Sequence, residues 1–67
     1  MDIRGRLAKN LKRLRDERGW SQEDLANEAG LHRTYVSGVE RGARNPTVMI
    51  LERLSKALKV QASALIA

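Results

Sequence analysis

The stretch from residue 21 to residue 42 constrains this chain most, because it predicts two short helices joined by a tight turn. Ser21 is a favourable N-cap, and Asp24 lies three residues later, where its carboxylate reaches back to the Ser21 amide in a capping box. Gly30 supplies the left-handed residue that ends a helix. The first helix of the pair is therefore expected between Ser21 and Gly30.

The second helix of the pair is predicted over residues 33–41, and its two sides differ in chemistry. Helical periodicity places Val36 and Val39 together on one side. The opposite side has small, uncharged residues in its middle and basic residues at its ends. It holds Arg33, Thr34, Ser37, Gly38 and Arg41. Such a face suits close approach of an acidic partner. Two helices so joined form a helix-turn-helix, which presents the second helix to the major groove of DNA.

Three residues near this second helix allow more than one interpretation. Gly38 costs about 1 kcal/mol relative to alanine in a helix interior, and it either leaves room for a base pair or is an ordinary surface glycine. Tyr35 either contacts a phosphate through its hydroxyl or has a packing role. His32 is interpreted as a surface cap in preference to a pH switch.

The composition excludes several classes of site. The chain has 67 residues, no cysteine and one histidine, so neither a disulfide nor a structural metal site is expected. No cofactor or small-molecule ligand is indicated. No apolar run approaches the roughly 18 residues of a membrane span, and the opening residues do not resemble a signal peptide. A soluble cytoplasmic protein is therefore expected.

The charge is unevenly distributed. The net charge is +5, and seven of the thirteen lysines and arginines lie in residues 1–18. A basic domain attracts polyanions and is steered toward DNA at long range. The first helix could therefore neutralise phosphates, although its basic residues could equally form a solvated face.

The remaining sequence predicts three more helices and no sheet. The first covers about residues 2–18, the fourth runs from a Thr47 cap to about Leu58, and a short fifth covers about residues 62–66. Their expected buried stripes are Ile3, Leu7, Leu11 and Leu14 in the first helix and Val48, Leu51, Leu54 and Leu58 in the fourth. Nothing alternates with a period of two. The expectation is a single all-α, five-helix domain over residues 1–67.

The pattern resembles the lambda-repressor/Cro-like helix-turn-helix, or XRE, family. The matching positions are Arg15, residues 19–23, Leu25, Ala26, residues 29–31 and 35–37, Val39, Glu40, Gly42, Arg44, Pro46, Thr47, residues 51–54, Ala57 and Leu58. The stretches 31–37 and 40–42 are especially similar to small controller proteins of restriction-modification systems. The resemblance implies a five-helix bundle, sequence-specific binding to double-stranded DNA, and a homodimer on a pseudo-palindromic operator.

The resemblance also implies roles for individual residues. Arg33, Thr34, Ser37 and Gly38 fall where the family reads bases, and Gln22, Arg44 and Asn45 where it contacts the DNA backbone, with Tyr35 a further backbone candidate. This chain departs from the family pattern at three places. Gly38 offers no side chain at a usual reading position, so base reading is expected to depend on Arg33 and Thr34. His32 stands where a serine or threonine usually caps the recognition helix, so that cap is expected to be weak. Lys59 stands where glycine is common, so a left-handed conformation there would be strained.

Two contacts are predicted from helix faces. Arg15 follows the apolar Leu14, and Glu40 flanks the inward valines, so the two should form a buried or half-buried ion pair, as the resemblance also implies. A homodimer interface is predicted from apolar residues that are not expected to fit in the core, namely Met49, Ile50, Leu65 and Ile66. The alternative for the last two is a frayed terminus.

Other classes of function fit less well. An enzyme needs a nucleophile and base set or a metal cluster, and neither is indicated. The main alternative to a DNA-binding regulator is a protein-interaction module of this fold, such as an antitoxin or coactivator domain. Loss of DNA binding on substitution of Arg33 would separate the two.

Overall fold

A computed structural model describes residues 2–67 of the chain. Within that range the chain forms five helices and no strand, which confirms the predicted fold class. The helices are α1 (Ile3–Glu17), α2 (Gln22–Ala29), α3 (Arg33–Glu40), α4 (Val48–Leu58) and α5 (Ala62–Leu65). In the described residues, no helix is long and apolar enough to cross a membrane.

One apolar cluster joins all five helices. Its buried members are Leu7, Leu11 and Leu14 of α1, Leu25, Ala26 and Ala29 of α2, Val36 and Val39 of α3, Leu54 and Leu58 of α4, and Leu65 of α5. The inward valines of α3 therefore lie in the core, as their spacing predicts. Burial of this one side leaves the opposite side of α3 facing outward.

Two expected core residues lie outside the core. Ile3 is 51% exposed and Val48 is 82% exposed, although both fit the apolar stripe of their helix. Each occupies the first position of its helix. Periodicity identifies which side of a helix is apolar, but it does not show how far along that side a neighbouring helix extends.

The helix ends follow the local chemistry of the sequence. Ser21 and Asp24 form the complete capping box, and Gly30 is left-handed with φ 69°. The Thr47 hydroxyl accepts a hydrogen bond from the Ile50 amide at the start of α4. The departures expected at two helix ends are also present: His32 makes no side-chain cap bond, and Lys59 is left-handed with φ 57°.

The short α5 is anchored to α1. The side-chain amide of Asn10 donates to the carbonyls of Leu65 and Ala67, at 3.1 and 3.0 Å. Leu65 is fully buried, so its predicted place at a dimer interface is wrong. A helix of one turn places one side chain inward, and Leu65 takes that position while Ile66 remains half-buried against the core.

Candidate nucleic-acid interface

A buried ion pair holds the C-terminal end of α3, where Glu40 is the last residue. Arg15 Nε donates to Glu40 Oε2 at 2.8 Å, and Arg15 Nη2 donates to Glu40 Oε1 at 3.0 Å. The two side chains are only 11% and 5% exposed. Hydrogen bonding to Glu40 raises the pKa of Arg15 above its ordinary value. The bidentate geometry links α1 to α3 with a defined orientation.

The same network reaches the start of α2. Arg15 Nη1 donates to the Trp20 carbonyl at 2.7 Å, just before the α2 cap. Gln22, the first residue of α2, donates its Nε2 to Glu40 Oε1 at 3.1 Å. Glu40 therefore accepts from two helices, and the half-buried Gln22 amide is held beside α3 instead of extending freely into solvent.

The outer side of α3 is open at its N-terminus. Arg33 and Thr34 are exposed, whereas Ser37 is half-buried. His32 leaves the first turn without a side-chain cap. The structure thus brings Arg33 and Thr34 together beside a helix N-terminus, whose unpaired N–H groups and positive dipole favour an anionic partner.

The structure shows no free space for a base pair beside Gly38. Gly38 is buried, and a Cβ built on it would lie 2.6 Å from Cγ of Arg44. The side chain of Arg44 therefore occupies the space that the glycine leaves. The sequence does not connect Gly38 with Arg44, because nothing in the local pattern indicates that the loop after α3 folds back over it.

The loop residues predicted to contact DNA lie on the surface. Arg44 and Asn45 are exposed. The guanidinium carbon of Arg44 lies 5.6 Å from the centre of the Tyr35 ring, within the range of a cation–π contact. Tyr35 itself is half-buried, so its ring both packs on the core and supports Arg44.

One positioning residue, Arg18, is not evident from the sequence. Arg18 donates to the Leu14 carbonyl at 2.8 Å and also to the Leu58 carbonyl at the end of α4. Basic side chains commonly satisfy the last carbonyls of a helix. A basic residue immediately before Gly19 is the available signal, but the α4 partner is far away in sequence.

This geometry agrees with a family comparison. The helix-turn-helix family model HTH_3 matches residues 11–65. The chain belongs to this helix-turn-helix family. The match includes α2 and α3 together with most of the bundle that holds them.

Three similar proteins extend the comparison. A hypothetical transcription factor of Neisseria meningitidis serogroup B is 46% identical over 65 residues, covering 97% of this chain and 61% of that protein. The control protein C.SmaI of Serratia marcescens is 46% identical over 66 residues, covering 98% of this chain and 79% of that protein. The restriction-modification controller protein C.Esp1396I, crystallised as a tetramer with its natural 35 base-pair operator, superposes with a TM-score of 0.88 at 38% identity, covering 97% of this chain and 86% of that chain.

The residues predicted for a dimer interface of this helix-turn-helix protein divide into three environments. Met49 is 77% exposed, beside the exposed Val48. Ile50 and Ile66 are half-buried against the core. Leu65 belongs to the core itself. The exposed apolar surface therefore centres on the first turn of α4 and not on α5.

No metal site accompanies this arrangement in residues 2–67, where no group of three or more histidine, aspartate and glutamate side chains lies close enough to hold an ion.

Proposed function

We propose that this chain is a cytoplasmic, sequence-specific DNA-binding transcriptional regulator, comparable to restriction-modification controller proteins, and that it is not an enzyme. The observation that carries the proposal is the contrast between the two sides of α3. Its inner side is fixed by buried valines and by the Arg15–Glu40 pair. Its outer side presents Arg33 and Thr34 to solvent. A helix held rigidly from behind is suited to enter the major groove.

Each residue of the proposed interface has a distinct role. Arg33 donates two hydrogen bonds to O6 and N7 of a guanine, a contact worth about 1–3 kcal/mol of discrimination. Thr34 and Ser37 contact bases by hydrogen bonds, and the Thr34 methyl also suits thymine. Gln22 and the amides at the start of α2 bind a phosphate, because the helix N-terminus attracts anions. Asn45 adds a backbone contact from the loop.

We propose that residues 1–67 act as one domain and bind the operator as a homodimer. The exposed pair Val48 and Met49 supplies an apolar patch, and the half-buried Ile50 and Ile66 extend it. A two-fold dimer would place two recognition helices about 34 Å apart, one turn of DNA.

Selection of bound sequences from a random duplex pool tests the function directly. The expected result is a pseudo-palindromic consensus. Affinities for the consensus and for an unrelated duplex are then compared among the wild type, Arg33→Ala and Gln22→Ala, with the exposed Arg13→Ala as a control of equal charge change to Arg33→Ala. Arg33→Ala should lose preference at one base pair in each half-site, whereas Gln22→Ala should weaken binding to both duplexes by similar factors.

The salt dependence of the same affinities counts phosphate contacts. The logarithm of the association constant should fall with the logarithm of salt concentration by about 0.9 per phosphate neutralised. If the wild type enriches no sequence, the DNA-binding proposal fails and the protein-interaction alternative takes its place.

Sedimentation tests the dimer. Met49→Asp should shift the protein toward monomer, whereas Asn27→Asp, which makes the same charge change at an exposed site on α2, should not. A wild type that remains monomeric well above the concentrations needed for operator binding would remove the dimer proposal.

A further inference from the structure

Gly38 lies on the outward side of α3, yet it is buried. Helical periodicity places Gly38 next to Thr34 and nearly opposite the core residue Val36. A residue on that side would ordinarily be exposed. The covering group is the Arg44 side chain, whose Cγ would lie 2.6 Å from a Cβ at Gly38 and whose Cδ and Nε would each lie 3.4 Å away.

The backbone holds Arg44 in this place. The Gly38 carbonyl accepts hydrogen bonds from the amides of Ala43 and Arg44, at 2.9 and 3.2 Å. Gly42 turns the chain with φ 72°, a conformation that favours glycine. The loop after α3 therefore returns along the helix that it follows, and Arg44 begins its side chain directly against Gly38.

The guanidinium of Arg44 is supported but not neutralised. It lies 5.6 Å from the centre of the Tyr35 ring. Within residues 2–67 no carboxylate or carbonyl pairs with it. Its N–H groups therefore remain available, while the ring and the glycine restrict its position. A restricted arginine loses less conformational freedom on binding than a free one.

We infer that Arg44 supplies the base-reading side chain that α3 lacks at Gly38. The inference rests on the proposed function, and it changes the role of Arg44 from backbone contact to specificity-determining residue. Arg44 lies over the side of α3 that carries Thr34, and a guanidinium presents the donor pair that matches O6 and N7 of guanine. Gly38 and Tyr35 are positioning residues for that contact.

The decisive experiment measures base discrimination, as the ratio of affinities for a selected consensus and for single base-pair variants of it, in Arg44→Lys and Gly38→Ala. Arg44→Lys keeps the charge but loses the guanidinium fork, so discrimination at one base pair in each half-site should fall about 5- to 150-fold. Arg13→Lys, an exposed position on α1, should leave every ratio unchanged.

Gly38→Ala tests whether the position of Arg44 determines base discrimination, because it leaves the Arg44 side chain itself intact. Its new Cβ displaces Arg44, so discrimination should fall at the same base pair as in Arg44→Lys. Its melting temperature is measured alongside, because alanine favours the helix more than glycine does whereas the new Cβ would lie 2.6 Å from Cγ of Arg44 and must displace it. Tyr35→Phe retains the ring and should keep the wild-type base discrimination. Tyr35→Leu removes the ring and should reduce it.

The outcomes are distinct. If Arg44→Lys weakens binding equally to all sequences, or if Gly38→Ala discriminates as the wild type does, the inference is overturned. Should Gly38→Ala fold poorly, Arg44→Ala replaces it, because this exposed loop position can lose its side chain without disturbing the core. Arg44→Ala should lose discrimination at the same base pair as Arg44→Lys, and a uniform loss would again overturn the inference. A wild type that selects no sequence at all would instead overturn the proposed function.

Discussion

The two helices of the helix-turn-helix begin differently. At the start of α2, Ser21 and Asp24 form both bonds of a capping box, and Gln22 is held by Glu40. At the start of α3, His32 provides no side-chain bond, and Arg33 extends into solvent. The contrast shows that stabilising contacts accumulate behind the recognition helix, whereas its proposed DNA-facing end is left open.

This difference has a physical basis. Capping groups satisfy amides that would otherwise bind another acceptor. The capping box stabilises α2 through the amides of Ser21 and Asp24, and the amides of Gln22 and Glu23 remain available to the phosphate proposed at this helix start. A helix end that approaches a polyanion retains its attraction for negative charge when its amides are unoccupied. Substitutions that alter either helix start, or the network behind them, test how far this contrast extends.

The largest effect is expected at the Arg15–Glu40 pair, which links α1 to α3 and, through Gln22, to α2. Arg15→Ala leaves Glu40 buried without its partner and should lower the free energy of unfolding by about 3–5 kcal/mol. Arg13→Ala removes an exposed pair with Glu17 and should change it by less than about 1 kcal/mol. Urea unfolding measures both. Equal losses would show that the buried network does not hold the two helices.

The second effect compares the two caps directly. Ser21→Ala removes the acceptor for the Asp24 amide and should cost about 1 kcal/mol. His32→Ala removes no side-chain cap bond and should cost much less. Thermal unfolding of the two variants gives the comparison. A loss at His32 as large as that at Ser21 would contradict the difference between the two helix starts.

Much of the fold can be predicted because its signals are local. The capping box, the left-handed glycine after α2 and the inward valines of α3 each depend on residues within one or two helical turns. The weak cap at His32 and the left-handed Lys59 are likewise predictable, from departures within a family pattern, and both are present.

The remaining features depend on contacts that are distant in sequence. Leu65 is buried in the core and its carbonyl accepts from Asn10 of α1, whereas Val48 is exposed despite lying on the apolar stripe. The packing of Arg44 on Gly38 depends on the path of a loop. Helical periodicity contains none of this information. The helix faces do predict the Arg15–Glu40 pair, which is present, but not the packing of Arg44 on Gly38 or the bond from Arg18 to the end of α4.

The third effect concerns the far end of α4, where the left-handed position is not a glycine. Lys59→Gly should raise the free energy of unfolding by about 0.5–1 kcal/mol, because the left-handed conformation strains a residue with a Cβ. Lys56→Gly, inside the last turn of α4, should lower it by a similar amount, since glycine weakens a helix interior. Thermal unfolding of the pair provides the measurement. A gain at Lys56 or a loss at Lys59 would show that the strain is absorbed elsewhere.

The smallest effect is expected from completing the start of α3. His32→Ser introduces a hydroxyl that accepts an amide of the first turn, and it should raise the free energy of unfolding by about 0.5 kcal/mol. Gln61→Ser is the matched control, because α5 also begins without a side-chain cap bond but has only four residues, so its gain should be smaller. Chemical denaturation, repeated for accuracy, measures both variants. If His32→Ser is less stable than the wild type, His32 makes a stabilising contribution other than capping. The start of α3 would then be more stable than its lack of a side-chain cap bond indicates.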